Sequence, residues 1–248
     1  RLSTPGFKRF SQCDSFNVIY GGGEANVAIS LANYGIPVEF VTILPENDIG
    51  NCALMTLRKN NVGTRHIIFG GERLGIYFLE TGAVSRASKV IYDRANSAIS
   101  QIKPGMINWK EVFNDADWFH WTGITPALGE NARECLKAAC EAAQAAKVTV
   151  SCDLNYRKKL WTEKEAQAFM QPAMDYVDVC IANEEDADKS LGLHAAGSDV
   201  DSGELQEEGY FEVAKKLKSE YGFKAVAITL RESFSASRNG WSALLLDE

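Results

Sequence analysis

Two arginines, Arg94 and Arg157, stand just beyond segments that read as β-strands. A guanidinium fork reads a carboxylate or a phosphate through two parallel hydrogen bonds, and a surface ion pair is the competing use of each. Upstream of both runs Gly21-Gly22-Gly23-Glu24-Ala25-Asn26, leading into a helix expected over 27–34. Glycines let a backbone approach a ligand closely, and a helix N-terminus favours anions and hydroxyl oxygens; tight helix packing uses the same residues equally well. The run has no G-K-[ST], so it is not a Walker A loop, and it is not a G-x-G-x-x-G in a βαβ unit. Tyr77 and Tyr92 lie in adjacent strand-like pieces. They offer hydroxyls and ring faces to a polyol, or they pack a sheet.

The elements that must position these side chains follow from periodicity. Residues 38–44 (VEFVTIL) are β-rich, and a helix expected over 49–60 stops at the Asn61-Val62-Gly63 turn. Short strand pieces at 66–69, 75–79 and 89–92 predict an antiparallel meander. Beyond Asp117 the rhythm changes. Strands over 117–121, 148–153, 177–182 and 224–230 alternate with helices over 130–146, 163–171, 184–191 and 210–221. Continuous apolar strands between amphipathic helices predict a parallel sheet covered on both faces. The alanines of 131–146 predict close packing against that sheet. Ligands of open α/β sheets bind beyond the C-terminal ends of the strands. Those exits read Thr122-Gly123-Ile124-Thr125-Pro126, Leu154-Asn155-Tyr156-Arg157, Asn183-Glu184-Glu185-Asp186 and Arg231. Helix capping explains any single one, and Asn183 is a good N-cap. Four polar exits on one edge point to a site. The acidic stretch 195–208 reads as a solvated insertion, and 233–239 (SFSASRN) as a second loop.

Composition bounds the rest. The chain has 248 residues, 46% hydrophobic and 24% charged, with a net charge of −7. That fits an ordinary globular α/β domain and argues against a nucleic-acid binder, which needs a basic face. No apolar run reaches the ~20 residues of a membrane span, and no leader pattern opens the chain, so a cytoplasmic place is expected. Cys13, Cys52, Cys135, Cys140, Cys152 and Cys180 are scattered and read as buried or semi-buried thiols. His66, His120 and His194 lack metal-ligand spacing, so no transition-metal site is expected. Arg1 is not an initiator methionine, and the apolar run 241–246 stops at Asp247-Glu248. Both ends predict a piece of a longer chain.

Gly22-Gly23-Glu24-Ala25-Asn26-Val27-Ala28, the strand 75–77, Tyr92-Asp93-Arg94, T-G-I-T-P-A-L at 122–128, Asp153-Leu154-Asn155-Tyr156-Arg157 with Leu160-Trp161, and Asn183-Glu184-Glu185 occur in this order. Together they resemble the PfkB-type, ribokinase-like carbohydrate kinases over about 2–230. The GGxxAN run is shared by many sugar kinases; T-G-I-T-P-A-L and D-x-N-Y-R-x-x-L-W are narrower and resemble the 2-keto-3-deoxygluconate kinases. The resemblance implies one domain over 1–248: a three-layer α/β/α core with a small β-sheet lid from about 2–20 and 70–95. It implies ATP and Mg²⁺, phosphate transfer to a primary hydroxyl of a sugar acid, and a homo-oligomer clasped through the lid. By that likeness Gly22, Gly23, Glu24, Ala25 and Asn26 line the sugar, with Tyr77, Tyr92 and Arg94 from the lid. Asn155 and Arg157 face the keto-acid and phosphate, and Asn183 and Thr229 lie toward the nucleotide. The family's G-A-G-D segment, with its catalytic Asp base, is expected beyond Glu248. The family's Glu three residues after the Asn is here Asp186, and Thr229-Leu230-Arg231-Glu232 departs from its T-x-G-x-x-G. The alternatives are another sugar kinase, such as a fructokinase, or a sugar- or nucleotide-binding regulator without catalysis. A dinucleotide oxidoreductase lacks its glycine fingerprint here.

Overall fold

A computed structural model describes residues 1–193, 207–235 and 238–247. His194, most of the acidic stretch 195–208 and part of the 233–239 segment lie outside the described residues. The chain forms two compact units: residues 1–102 with 232–240, and residues 103–231 with 241–248.

The first unit opens with strands β1 (Leu2–Ser3) and β2 (Asn17–Val18), then helix α1 (Gly23–Asn33). Strand β3 (Thr42–Leu44), helix α2 (Asp48–Lys59) and strand β4 (Ile67–Phe69) follow, then β5 (Ile76–Glu80) and β6 (Lys89–Asp93). The order β2-β1-β5-β6 makes a four-stranded sheet. Its strands fall within the segments expected for the small β element. The expected meander is corrected in one respect: residues 67–69 pair parallel with β3 in a separate two-stranded sheet, and only β5 and β6 form an antiparallel hairpin. Helix α2, between β3 and β4, supplies the crossover a parallel pair needs, so the apolar run at 66–69 belongs to a βαβ unit. Only the last three residues of the 38–44 run are strand. Asn47 starts α2 by accepting the Gly50 N–H at 3.0 Å, which satisfies one orphan donor of the first turn. One core cluster gathers Ala25 and Ala28 of α1 with Leu57 and Val62; a second gathers Leu44, Ala53 and Leu54.

The second unit carries the alternating pattern. Short helix α3 (Trp109–Val112) precedes β7 (Trp118–Thr122), α4 (Glu130–Ala145), β8 (Thr149–Asp153) and α5 (Glu163–Ala173). Then come β9 (Val179–Ala182), α6 (Glu184–Leu191), α7 (Glu207–Tyr221), β10 (Ala225–Ser235) and β11 (Arg238–Leu246). The sheet order is β11-β10-β9-β8-β7, with β7, β8, β9 and β10 parallel to one another. In α4, Ala132, Cys135, Leu136, Ala139, Cys140 and Ala143 are buried at helical spacing, so the alanine-rich face packs inward as its periodicity predicts. Thr162 and Glu165 close a capping box at α5. Two expectations are corrected here. Strand β10 runs on to Ser235, so Arg231 is inside a strand rather than at an exit, and the described part of 233–239 is largely strand. The apolar run 241–246 lies in β11, which pairs beside β10 at the sheet edge. Cys135, Cys140, Cys152 and Cys180 are buried, whereas Cys52 is exposed. Burial pushes the Cys140 thiol up to about 12, so it stays protonated and behaves as a small apolar group. Among the described residues, no helix is long and apolar enough to cross a membrane.

Candidate active site

In the first unit, the glycine run becomes the start of α1. Gly22 is the N-cap with an extended backbone, and Gly23 and Glu24 are already helical. A Cβ built on Gly22 would meet no atom within 4 Å. The chain itself therefore does not require glycine there, whereas a ligand against the backbone would. Asn26 is exposed, but the Ala25 side chain turns into the core with Ala28, Leu57 and Val62. Tyr77 and Tyr92 are direct cross-strand partners on β5 and β6, with ring centroids 6.1 Å apart. The Arg94 guanidinium lies over the Tyr92 ring, its carbon 4.2 Å from the centroid. That is cation–π geometry, which also removes rotamer freedom from the arginine. Among the described residues, Arg94 makes no side-chain hydrogen bond or ion pair beyond this stack. Its donors are thus presented, oriented, for an acceptor.

In the second unit, three strand exits are tied together. Gly123, after β7, donates its N–H to the Asp153 carbonyl at 2.9 Å, and Leu154 donates to the Ile181 carbonyl at 2.9 Å. A Cβ on Gly123 would collide with the Leu154 carbonyl, so glycine there serves the fold. Arg133 reaches from α4 to the Pro126 carbonyl at 3.2 Å and stacks over Trp161. Asn155 is buried and holds φ +40°, a left-handed conformation that Asn tolerates better than most residues. The Tyr156 N–H then donates to Asp186 Oδ1 at 2.8 Å, and the Tyr156 hydroxyl to the Trp161 carbonyl at 3.3 Å. Arg157 emerges exposed from this turn, one Nη donating to its neighbour's carbonyl at 2.7 Å.

Asn183 caps α6: its Oδ1 accepts the Asp186 N–H at 2.7 Å. The capping use of Asn183 is real, and its amide donors remain for a ligand. Thr229 Oγ1 donates to the Ala182 carbonyl at 3.4 Å, between neighbouring strands. Asp186 is the electrostatic feature of this edge. Burial pushes its carboxyl up to about 7, the negative charge of Asp153 adds to that, and the Tyr156 N–H and Arg157 pull the other way. Among the described residues no cluster of His, Cys, Asp or Glu could hold a metal ion by itself. Two site features escaped the sequence. The reach of Asp186 across thirty positions to Tyr156 is not coded by spacing, although an acid three residues after an N-cap Asn flagged the position. The grip of Arg73 on Asp93, described below, left no local signal.

Residues 4–232 match the model of the pfkB family of carbohydrate kinases, and the chain belongs to that family. Kinases of this kind carry a phosphoryl group from ATP to a sugar hydroxyl. The chain is similar to the 2-dehydro-3-deoxygluconokinase of Thermotoga maritima, with 51% identity and a TM-score of 0.94 over 99% of this chain and 74% of that one. It is similar to a PfkB family carbohydrate kinase from Listeria grayi, with 30% identity and a TM-score of 0.90 over 100% and 73%. It is 31% identical to the 2-dehydro-3-deoxygalactonokinase of Haloferax volcanii over 97% of this chain and 71% of that protein. The ribokinase-like α/β fold expected from the motifs is thereby shown.

Proposed function

We propose that this protein phosphorylates a six-carbon 2-keto-3-deoxy sugar acid, 2-keto-3-deoxygluconate, at its 6-hydroxyl, with ATP as donor and Mg²⁺ neutralising the donor's phosphates. The observation that carries this reading is Arg94, stacked on Tyr92 with its donors turned to no acceptor among the described residues. A neutral sugar gives a guanidinium no charge to pair with; a carboxylate accepts two of its hydrogen bonds. Tyr77 and Tyr92 offer hydroxyls to the polyol, and the open backbone at Gly22 lets a sugar approach it, with Gly23, Glu24 and Asn26 beside it. Ala25 contributes its backbone, since its methyl is in the core. Asn155 and Arg157 serve the keto-acid and phosphate end, and Asn183 and Thr229 the nucleotide. Phosphoryl transfer asks a protein for positioning and charge neutralisation rather than covalent help, which is what such residues supply. The names of the Thermotoga and Haloferax relatives support the sugar-acid class. The exposed Val18 and Ile91 of the four-stranded sheet, with exposed Phe16 just before β2, support a second copy of the chain as partner; a one-copy mass in sedimentation would remove that part.

The test is a substrate panel. The full chain with ATP is assayed on 2-keto-3-deoxygluconate, its galacto epimer, fructose and ribose. The acids should exceed the neutral sugars in kcat/KM by at least roughly tenfold, the worth of one charge-assisted hydrogen bond. A preference for fructose or ribose overturns the proposal.

A further inference from the structure

Arg73 stands just before β5, and every one of its side-chain hydrogen bonds falls on the two residues that flank Arg94. One Nη donates to Asp93 Oδ1 at 2.7 Å and to the Ala95 carbonyl at 3.1 Å. The other donates to Asp93 Oδ2 at 2.6 Å and to the Asp93 carbonyl at 3.2 Å. The tie is reciprocal, because the Arg73 carbonyl accepts the Ala98 N–H at 2.8 Å. The turn between these points is tight. The Ser97 N–H bonds the Arg94 carbonyl at 3.2 Å, Asn96 is left-handed at φ +55°, and Ser97 and Ala98 are buried. Exposed ion pairs in general add little to stability. This one spends four donor contacts on the main chain and carboxylate on either side of one arginine, which is a poor way to stabilise a fold and a good way to aim a side chain.

We infer that Arg73 is a positioning residue for the proposed sugar-acid site: it fixes the backbone from which Arg94 leaves β6 and holds the Asp93 carboxylate away from the Arg94 guanidinium. This rests on the reading of Arg94 given above. Two consequences follow from the geometry. An arginine carries large rotamer entropy, and a fixed exit plus the Tyr92 face removes part of that cost before substrate arrives. Asp93 is the residue next to Arg94, and a free carboxylate there would compete with a ligand's carboxylate for the same donors. With both oxygens taken by Arg73, that competitor is occupied. Only the planar fork does this; a lysine gives a point charge that cannot span two oxygens and two carbonyls.

The experiment measures KM and kcat for 2-keto-3-deoxygluconate, and KM for ATP, in the full chain and in Arg73→Ala, Arg73→Lys, Arg94→Ala and the Arg73→Ala/Arg94→Ala double variant. Arg73→Ala is expected to raise KM for the acid roughly fivefold, with kcat and the ATP KM nearly unchanged, and Arg73→Lys to recover little. In the double variant the Arg73 change should add nothing to the loss from Arg94→Ala. Equal penalties in both backgrounds, or full rescue by lysine, overturn the inference. A normal acid KM in Arg73→Ala beside a damaged Arg94→Ala overturns it while leaving the reading of Arg94 standing. An unaffected Arg94→Ala removes that reading and this inference with it.

Discussion

Arg94 and Arg157 are alike in chemistry and unlike in the way the chain holds them. Arg94 leaves a β-hairpin of the first unit, is laid on an aromatic face, and has its exit fixed by an exposed ionic fork. Arg157 leaves a turn of the second unit whose main chain is held from beneath by a buried carboxylate, Asp186, and whose first residue is a left-handed Asn. Charges in water are screened by salt and little disturbed by pH near neutrality; a buried carboxyl is shielded from salt and titrates far from its ordinary value. The two arginines therefore answer to different solution variables. A fold that must present the same functional group twice can do so with an ionic mount or a buried one, and the choice sets what regulates each.

The largest expected effect treats the two as equals. Arg157→Ala should lower kcat/KM for the sugar acid by about 1.5–3 kcal/mol, the worth of hydrogen bonds to a charged group, and Arg94→Ala by a similar amount. For a neutral sugar Arg94→Ala should match the parent, while Arg157→Ala keeps the part of its loss that its proposed phosphate contact carries. A loss from Arg94→Ala alone would make Arg157 a surface residue and reduce the comparison to one arm.

The next prediction isolates the buried mount. Burial pushes the Asp186 carboxyl up to about 7, whereas the same group in an unfolded chain ionises near pH ~4. The folded chain therefore holds a proton through that window. The stability this contributes is full below about pH 4 and is lost as pH rises through 7, to a total on the order of 4 kcal/mol. Asp186→Asn keeps an oxygen for the Tyr156 N–H and removes the titration. Urea midpoints from pH 4 to 8 should fall more steeply in the parent than in this variant. Parallel curves would show that Asp186 ionises normally and that the buried mount is misdescribed.

How much of this was legible in the sequence depends on the range of the interaction. The alternation of apolar strands and amphipathic helices after Asp117 is local, and it located β7, β8, β9 and β10 to within two residues at their starts, while β11 went unread. The residues proposed for the site, in the glycine run, the two tyrosines and three of the four strand exits, were picked out by residue type and position alone. What failed were pairings. Residues 66–69 look like strand either way, and only the α2 crossover decides that they join β3 rather than the hairpin. Residues 233–235 are polar and serine-rich, yet they extend β10, because the partner strand β11 supplies the ladder. Arg73 with Asp93 and Asp186 with Tyr156 are separated by twenty and thirty positions. Long-range side-chain contacts leave no period or spacing to read, so the supports of both arginines appear only when the chain is folded.

The smallest expected effect bears on the ionic mount. The Arg73–Asp93 pair is solvent-exposed, with Arg73 pulling the Asp93 carboxyl below the usual carboxylate range through two hydrogen bonds. Surface pairs of this kind lose their Coulombic share as salt rises, since the screening length drops from about 10 Å at 0.1 M to about 3 Å at 1 M. Asp93→Asn should therefore shift the urea midpoint slightly at low salt, and the shift should shrink further in 1 M NaCl. Urea is the denaturant of choice because guanidinium chloride would screen the pair itself. At a fixed pH above 7, the difference between the parent and Asp186→Asn should stay the same across that salt range, because the carboxylate lies beneath the turn and out of reach of the ions. Equal salt dependence in the two variants would mean that the mounts differ in position but not in kind. Salt sensitivity confined to Asp93→Asn would establish that the chain holds its two arginines by separate physical means.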